Sequence, residues 1–131
     1  MKESAGLVII YDNKILLEHP TGQKWWGTYS IPKGEIEPNE NHLEAAIRET
    51  EEELGIKIDS TLIDPTTERY IDYTKDGEIY KRVYYFVLYV NEFPENFNLQ
   101  LEEVNWAGFI GEKEIIKRLY WRFTPILQYL K

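Results

Sequence analysis

The stretch GEIEPNENHLEAAIRETEEELGI, residues 34–56, combines a turn signal, a helical pattern and an unusual density of acidic residues. Its largely apolar positions recur at steps of three and four, at Leu43, Ala46, Ile47, Thr50 and Leu54. This spacing is typical of an amphipathic helix that packs one face against a core. Gly55 follows Leu54, where a helix often ends in a glycine cap. We therefore predict a helix over residues 41–54.

The predicted helix carries acids beside its apolar stripe. At about 100° per residue, Glu49, Glu52 and Glu53 fall on one flank of the helix. These carboxylates repel one another, no lysine lies among them, and the helix dipole disfavours negative charge near the C-terminal end. Carboxylate oxygens suit divalent cations such as Mg²⁺, which would offset these penalties. The pattern therefore favours a metal site over a solvated acidic face, with Arg48 orienting one carboxylate.

The composition narrows the classes of function. The chain has 131 residues, a net charge of −8 and no cysteine. The absence of cysteine excludes disulfide scaffolds, thiolate zinc sites and cysteine nucleophiles. The segment from Glu35 to Glu53 holds eight glutamates and one arginine, so nearly all of the net charge lies there. A surface this acidic disfavours long nucleic acids, because their phosphates need basic contacts. We expect a small-molecule partner.

The rest of the chain predicts an α+β fold. Apolar runs indicate a hairpin of strands 5–11 and 14–18, a short strand 29–31 broken at Pro32-Lys33-Gly34, and strands at 67–73, 79–90 and 104–109. Helices are expected at 112–119 and after Thr124, with Thr124 as cap and Pro125 in the first turn. Strands on both sides of a central helix favour a mixed β-sheet between helices. We expect a single domain over residues 1–131, no membrane segment and a cytoplasmic location.

Seven positions of residues 34–56 resemble the Nudix box of nucleoside-diphosphate-X hydrolases, namely Gly34, Glu40, Arg48, Glu49, Glu52, Glu53 and Gly55. Thr50 departs from the pattern, since the family usually has an aliphatic residue there. The resemblance implies a Nudix-like α/β/α sandwich in which water attacks a pyrophosphate linkage with the help of Mg²⁺, or Mn²⁺ as a substitute.

The resemblance also implies roles for individual residues. Metal binding falls to Glu49, Glu52, Glu53 and the backbone carbonyl of Lys33. Catalysis is expected of Glu52, Glu53, Arg48 and Glu103, with the general base left open between a glutamate of the box and a loop acid. Structural roles fall to Gly34, Gly55 and Glu40.

The flanking sequence narrows the substrate. Ser30–Gly34 with Glu37-Pro38, and the strand Lys81–Phe86, resemble diadenosine polyphosphate hydrolases and their bacterial relatives. On this basis, the expected substrate-binding residues are Lys33, Lys81, Tyr29, Tyr73 and Tyr85. The alternatives are another nucleoside triphosphate, an inositol pyrophosphate, or a non-catalytic nucleotide sensor on the same fold. We expect a monomer or a homodimer, and His19 and His42 are interpreted as surface residues.

Overall fold

The first two apolar runs form an antiparallel hairpin. In the computed structural model, which describes residues 1–94 and 96–131, β1 spans Lys2–Tyr11 and β2 spans Lys14–Pro20. The two turn residues, Asp12 and Asn13, both have positive φ, 52° and 54°. Asparagine and aspartate tolerate this left-handed conformation, and turns of this kind match the twist of paired strands. The predicted hairpin is confirmed.

The remaining strands complete a mixed sheet. They are β3 (Lys33–Glu35), β4 (Arg69–Lys75), β5 (Glu78–Val90) and β6 (Val104–Ile110). The strand order is β4-β5-β1-β2-β6, with β3 also paired to β1. The β1–β5 pair is parallel, and the other pairs are antiparallel. The mixed sheet is therefore as predicted.

The sheet opens between β1 and β2. The start of β1 pairs with β3, with Ser4 opposite Glu35, whereas the end of β1 pairs with β2 at Ile10 and Ile15. The far part of β2 instead exchanges backbone hydrogen bonds between Glu18 and Ser30, at 2.8 and 3.1 Å. A cleft lined by polar side chains lies at this divergence.

Helical segments cover both faces of the sheet. Helix α1 (His42–Leu54) begins with a capping box formed by Asn41 and Glu44. Its buried residues pack against one face of the sheet, in a cluster with Ala5, Leu7, Leu16 and Phe86. The other face packs against α2 (Glu112–Arg118) and the 3₁₀ helix Trp121–Tyr129. This is the predicted α/β/α sandwich. In the described residues, no helix is long and apolar enough to cross a membrane.

Two local predictions were wrong. The stretch 29–31 forms no strand but isolated bridges, Tyr29 to Leu119 and Ser30 to Glu18, whereas the expected break at Lys33 and Gly34 is strand β3. Residues 33–35 form a strand because they pair with the free edge of β1 immediately after Pro32.

The last segment also differs from its prediction. It is a 3₁₀ helix with Pro125 in its interior, and it starts at Trp121. The Thr124 hydroxyl donates to the Trp121 carbonyl at 2.5 Å instead of capping a helix start.

Candidate active site

Arg48 joins the loop before α1 to the acidic face of the helix. Its Nε and Nη2 donate to the two carboxylate oxygens of Glu40, at 2.7 and 3.0 Å. Nη1 donates to Oε1 of Glu49 at 2.8 Å, and Nη2 also donates to the Glu35 carbonyl at 3.0 Å. The Glu40 carboxylate additionally accepts the Glu37 N–H. The hydrogen bond from Arg48 lowers the pKa of Glu40, so this carboxylate stays charged and holds the guanidinium.

Two glycines allow the close approaches that the site requires. A Cβ on Gly34 would overlap the carboxylate of Glu49, so β3 can pass beside this acid because position 34 is glycine. Gly55 ends α1 in the left-handed conformation, φ 66° and ψ 33°, and its N–H donates to the Glu51 carbonyl at 2.9 Å. A Cβ on Gly55 would also overlap Asn98. The structure thus gives both glycines steric roles.

The acidic side of α1 faces a cavity of about 490 Å³ at the opening of the sheet. The acids that line this cavity are Glu18, Glu35, Glu49, Glu52, Glu53 and Glu103, and we call it the acidic cavity. The only basic side chains in its lining, within the described residues, are Lys33 and Lys81. The fold therefore brings Glu103, from the turn before β6, to the same cavity as the three helix glutamates.

Glu18 is a residue of this cavity that the sequence analysis missed. Glu18 and Glu53 are only 4% and 6% exposed, and the Lys33 N–H donates to Oε1 of Glu53 at 3.1 Å. Burial raises the pKa of Glu53 to about 7, and burial together with the nearby Glu53 raises the pKa of Glu18 well above its ordinary value. The alternation of side chains along β2 could have revealed Glu18. Leu16 faces α1, and Glu18, two positions later, lies on the same face of the strand.

The carboxylates have the chemistry of a divalent-cation site, although they do not yet converge on one point. Glu49 and Glu52 both accept from Nη1 of Arg48, at 2.8 and 3.3 Å, while Glu53 faces Lys33 and Glu18. Over residues 1–94 and 96–131, no group of three potential ligands is already arranged around a metal position. Burial raises the pKa of Glu49 and outweighs the lowering by the Arg48 guanidinium. Hard oxygen donors alone fit Mg²⁺ or Mn²⁺.

The Lys33 backbone contacts the acids through its N–H, which donates to Glu53. That its backbone carbonyl binds a metal stays a prediction. The structure brings Glu49, Glu52, Glu53 and Glu103 to one cavity, and Arg48 is tied to it through Glu49.

Lys33 and Lys81 form a bridge to a second cavity. Burial, and after it the facing Lys33 ammonium, lower the pKa of Lys81 to about 8. Both lysines line the acidic cavity and also an adjacent cavity of about 530 Å³. The second cavity contains Tyr73, Tyr120 and Trp121, and we call it the aromatic cavity. The Lys81 ammonium lies 5.1 Å from the centre of the Tyr73 ring.

Two expected substrate-binding tyrosines lie elsewhere. Tyr85 is 2% exposed and packs in the core, with its hydroxyl 3.4 Å from that of Tyr129. Tyr29 is 1% exposed, and its hydroxyl accepts from Arg118 at 2.8 Å, in the wall of a separate cavity. Neither ring lines the acidic or the aromatic cavity, so these two assignments are not supported. Their positions on core-facing parts of the fold explain the difference. Tyr73 does line the aromatic cavity.

The interpretation of His19 as a surface residue was wrong. Its side chain is fully buried, with Nδ1 2.5 Å from Oδ1 of Asn105 and Nε2 3.0 Å from the Lys24 carbonyl. Its ring stacks on Trp25 with centroids 3.7 Å apart. His19 therefore fixes the loop that follows β2. His42 is half-buried and stacks on Tyr84.

Comparisons with known proteins agree with this architecture. A family model described as "NUDIX domain" matches residues 1–127. The chain is 29% identical over 109 residues to the mRNA-decapping protein g5R of African swine fever virus, covering 76% of this chain and 44% of that protein. It is 31% identical over 96 residues to the rat asymmetrical bis(5'-nucleosyl)-tetraphosphatase, covering 72% of this chain and 63% of that enzyme. The chain thus spans less than two thirds of either relative.

Solved structures show the same fold. A Caenorhabditis elegans Ap4A hydrolase binary complex aligns with a TM-score of 0.75 at 24% identity, covering 98% of this chain and 92% of that one. A MutT NUDIX hydrolase from Burkholderia pseudomallei aligns with a TM-score of 0.74 at 20% identity, covering 99% and 98%. At these identities the alignments support the fold.

Proposed function

The chain belongs to the Nudix family of phosphoanhydride hydrolases, and on that premise we propose that it is a Mg²⁺-dependent pyrophosphohydrolase of polyphosphates that join two nucleosides. Among these compounds, we propose diadenosine polyphosphates as the substrate class. The observation that carries the proposal is the pair of adjoining cavities, one acidic and one aromatic, which share Lys33 and Lys81.

The two lysines are suited to a polyphosphate chain. Their ammonium groups repel each other and are partly withdrawn from water, so an anion placed between them stabilises both charges. A phosphate chain over this bridge has one end at the acidic cavity and the other at the aromatic cavity. Tyr73 and Trp121 then supply rings for a nucleobase, because aromatic faces bind bases with little sequence preference.

The residues of the acidic cavity divide the chemical work. A bound Mg²⁺ or Mn²⁺, held by Glu49, Glu52 and Glu53, supplies neutralisation of the phosphates and activation of water. Arg48 holds Glu49 in position through its Nη1. The water oxygen bonds to phosphorus, the bridging oxygen departs with the leaving phosphate, and the water proton passes to a carboxylate. Glu52, whose side chain is 49% exposed, and Glu103 are the two candidates for this base.

The relatives' names fit a linkage between two nucleosides. The rat enzyme is named for a bis(5'-nucleosyl) tetraphosphate, and a yeast relative is named an m7GpppN-mRNA hydrolase. A net charge of −8 opposes the long phosphate backbone of RNA, which favours the free dinucleotide for this chain. The capped RNA end is retained as the second candidate because four viral relatives and one yeast relative are named for mRNA decapping, and another yeast relative is named an m7GpppN-mRNA hydrolase.

A substrate panel tests the proposal. The chain is incubated with Mg²⁺ or Mn²⁺ and diadenosine tetraphosphate, m7GpppN, ADP-ribose, nucleoside triphosphates or an inositol pyrophosphate, and the products are identified by chromatography. We expect asymmetric cleavage of diadenosine tetraphosphate to ATP and AMP, which Glu52→Gln abolishes. Preferential cleavage of m7GpppN would shift the substrate to cap structures. No metal-dependent turnover of any compound would overturn the hydrolase proposal and favour a nucleotide sensor.

A further inference from the structure

Glu18 is a buried glutamate in the wall of the acidic cavity, an environment that is unusual for a glutamate with only a structural role. Its backbone is held on both sides, by Ala107 of β6 and by Ser30, so its Cα position is fixed. Its side chain lines the acidic cavity and is 4% exposed. A carboxyl group withdrawn this far from water normally has a hydrogen-bond donor or a cation as partner.

At one oxygen of Glu18 this requirement is unmet, while the side chain otherwise faces the Glu53 carboxylate. Oε1 of Glu18 has no hydrogen-bond partner, and it is the only such buried side-chain oxygen or nitrogen in residues 1–94 and 96–131. The Lys33 N–H, a nearby donor, is already bound to Glu53. With six acids and two lysines in the lining, the cavity carries an excess of negative formal charge. A cation would supply what the orphaned oxygen and the neighbouring carboxylates both lack.

We propose that Glu18, from strand β2, is an additional carboxylate ligand of the divalent-cation site and completes the set that α1 provides through Glu53. The proposal rests on the metal dependence of the proposed function, and it adds a ligand outside the Gly34–Ile56 segment. Because β2 and the Ser30 segment both fix the position of Glu18, the proposed ligand lies where strands β1 and β2 separate.

Metal binding without any nucleotide tests this assignment. The binding of Mn²⁺ to the wild-type chain and to Glu18→Gln is followed by electron paramagnetic resonance, and Mg²⁺ binding by calorimetry. We expect Glu18→Gln to lose one bound ion or to bind it at least tenfold more weakly. Glu35→Gln is the matched control, since it removes a charge from the same cavity at a side chain that is 72% exposed. Its metal affinity is expected to stay within twofold of wild type.

Thermal unfolding of the same proteins separates a ligand from a structural group. We expect metal-free Glu18→Gln to melt at or above the wild-type temperature, because the substitution removes buried charge repulsion, while its Mg²⁺-induced rise in Tm shrinks. Glu18→Asp, which keeps the charge on a shorter side chain, provides a second variant and is expected to bind metal with reduced affinity.

Unchanged metal stoichiometry and affinity in Glu18→Gln would overturn the proposal, as would a lower metal-free Tm with an undiminished Mg²⁺ effect. These readouts do not need substrate. If Glu18→Gln loses metal while the wild-type chain hydrolyses nothing in the panel, the ligand assignment stands and the proposed function fails.

Discussion

Substitution of Arg48 by lysine keeps the positive charge but removes the planar fork. Arg48 makes two hydrogen bonds to Glu40, one to Glu49 at 2.8 Å and one to the Glu35 carbonyl at 3.0 Å. A lysine ammonium is a single point charge and cannot reach partners spread around a guanidinium plane. We expect the loop before α1 to loosen and Glu49 to lose its orientation.

The magnitude follows from the bonds that lysine cannot replace. Two lost charge-assisted hydrogen bonds at ~1.5–3 kcal/mol each are reduced by about half for solvent screening, which gives ~1.5–3 kcal/mol. The screening applies because the Arg48 side chain is 23% exposed. With an unfolding entropy of about 2.1 cal/mol/K per residue, this free energy corresponds to a Tm lower by about 5–11 °C.

Circular dichroism melts check this prediction, with Arg82→Lys as the control. Arg82 makes a comparable fork to Asp72 at 2.6 and 3.0 Å, and neither side chain lines the acidic cavity. We expect Arg48→Lys to lower Tm more than Arg82→Lys does, and to weaken Mn²⁺ binding where the control does not. Equal Tm losses with equal metal affinities would refute the role of Arg48 as the link between the loop and the carboxylates that we propose bind the metal.

Three further outcomes are expected. Gly55→Ala should lower stability by at least ~1–2 kcal/mol in denaturant melts, because its φ is 66° and a Cβ would meet Asn98; an unchanged midpoint would contradict the steric reading. Because Arg48 lowers the pKa of Glu40, this acid stabilises the folded protein at pH values above its unfolded pKa near 4.5, and the stabilisation is lost as pH falls through the folded pKa. The Tm of Glu40→Gln should therefore fall less steeply than that of wild type as the pH is lowered. An unaltered pH profile would count against the ion pair. Trp121→Ala, at a side chain 66% exposed, should raise KM for diadenosine tetraphosphate about tenfold with kcat nearly unchanged, whereas equal KM values would remove this ring from the nucleotide site.

Local patterns account for much of the fold. The α1 boundaries, its glycine cap and the Asp12-Asn13 hairpin follow from spacing and turn chemistry alone. Strand order does not, because the parallel pairing of β1 with β5 joins residues about eighty positions apart. The short β3 strand was missed for the same reason. Lys33–Glu35 becomes a strand because it pairs with the free edge of β1, and its own composition does not predict one.

The candidate site divides in the same way. Helical spacing places Glu49, Glu52 and Glu53 together, whereas the pairing of Arg48 with Glu40 is seen only in the structure. Residues that reach the cavity from distant strands depend on tertiary packing, and Glu18 went unnoticed for that reason. Aromatic residues were the least predictable, because Tyr73, Tyr29 and Tyr85 are all buried and, of the three, Tyr73 alone lines the aromatic cavity.

The most direct test of the account is the Mg²⁺-dependent hydrolysis of diadenosine tetraphosphate by the wild-type chain, Glu52→Gln and Glu51→Gln. Glu51 is the matched control, since its carboxylate accepts the Ile58 N–H and an amide oxygen can do the same. We predict that Glu52→Gln lowers kcat by about 10²-fold or more while Glu51→Gln remains close to wild type. Equal rates for all three proteins, or hydrolysis that persists without a divalent cation, would contradict the central claim.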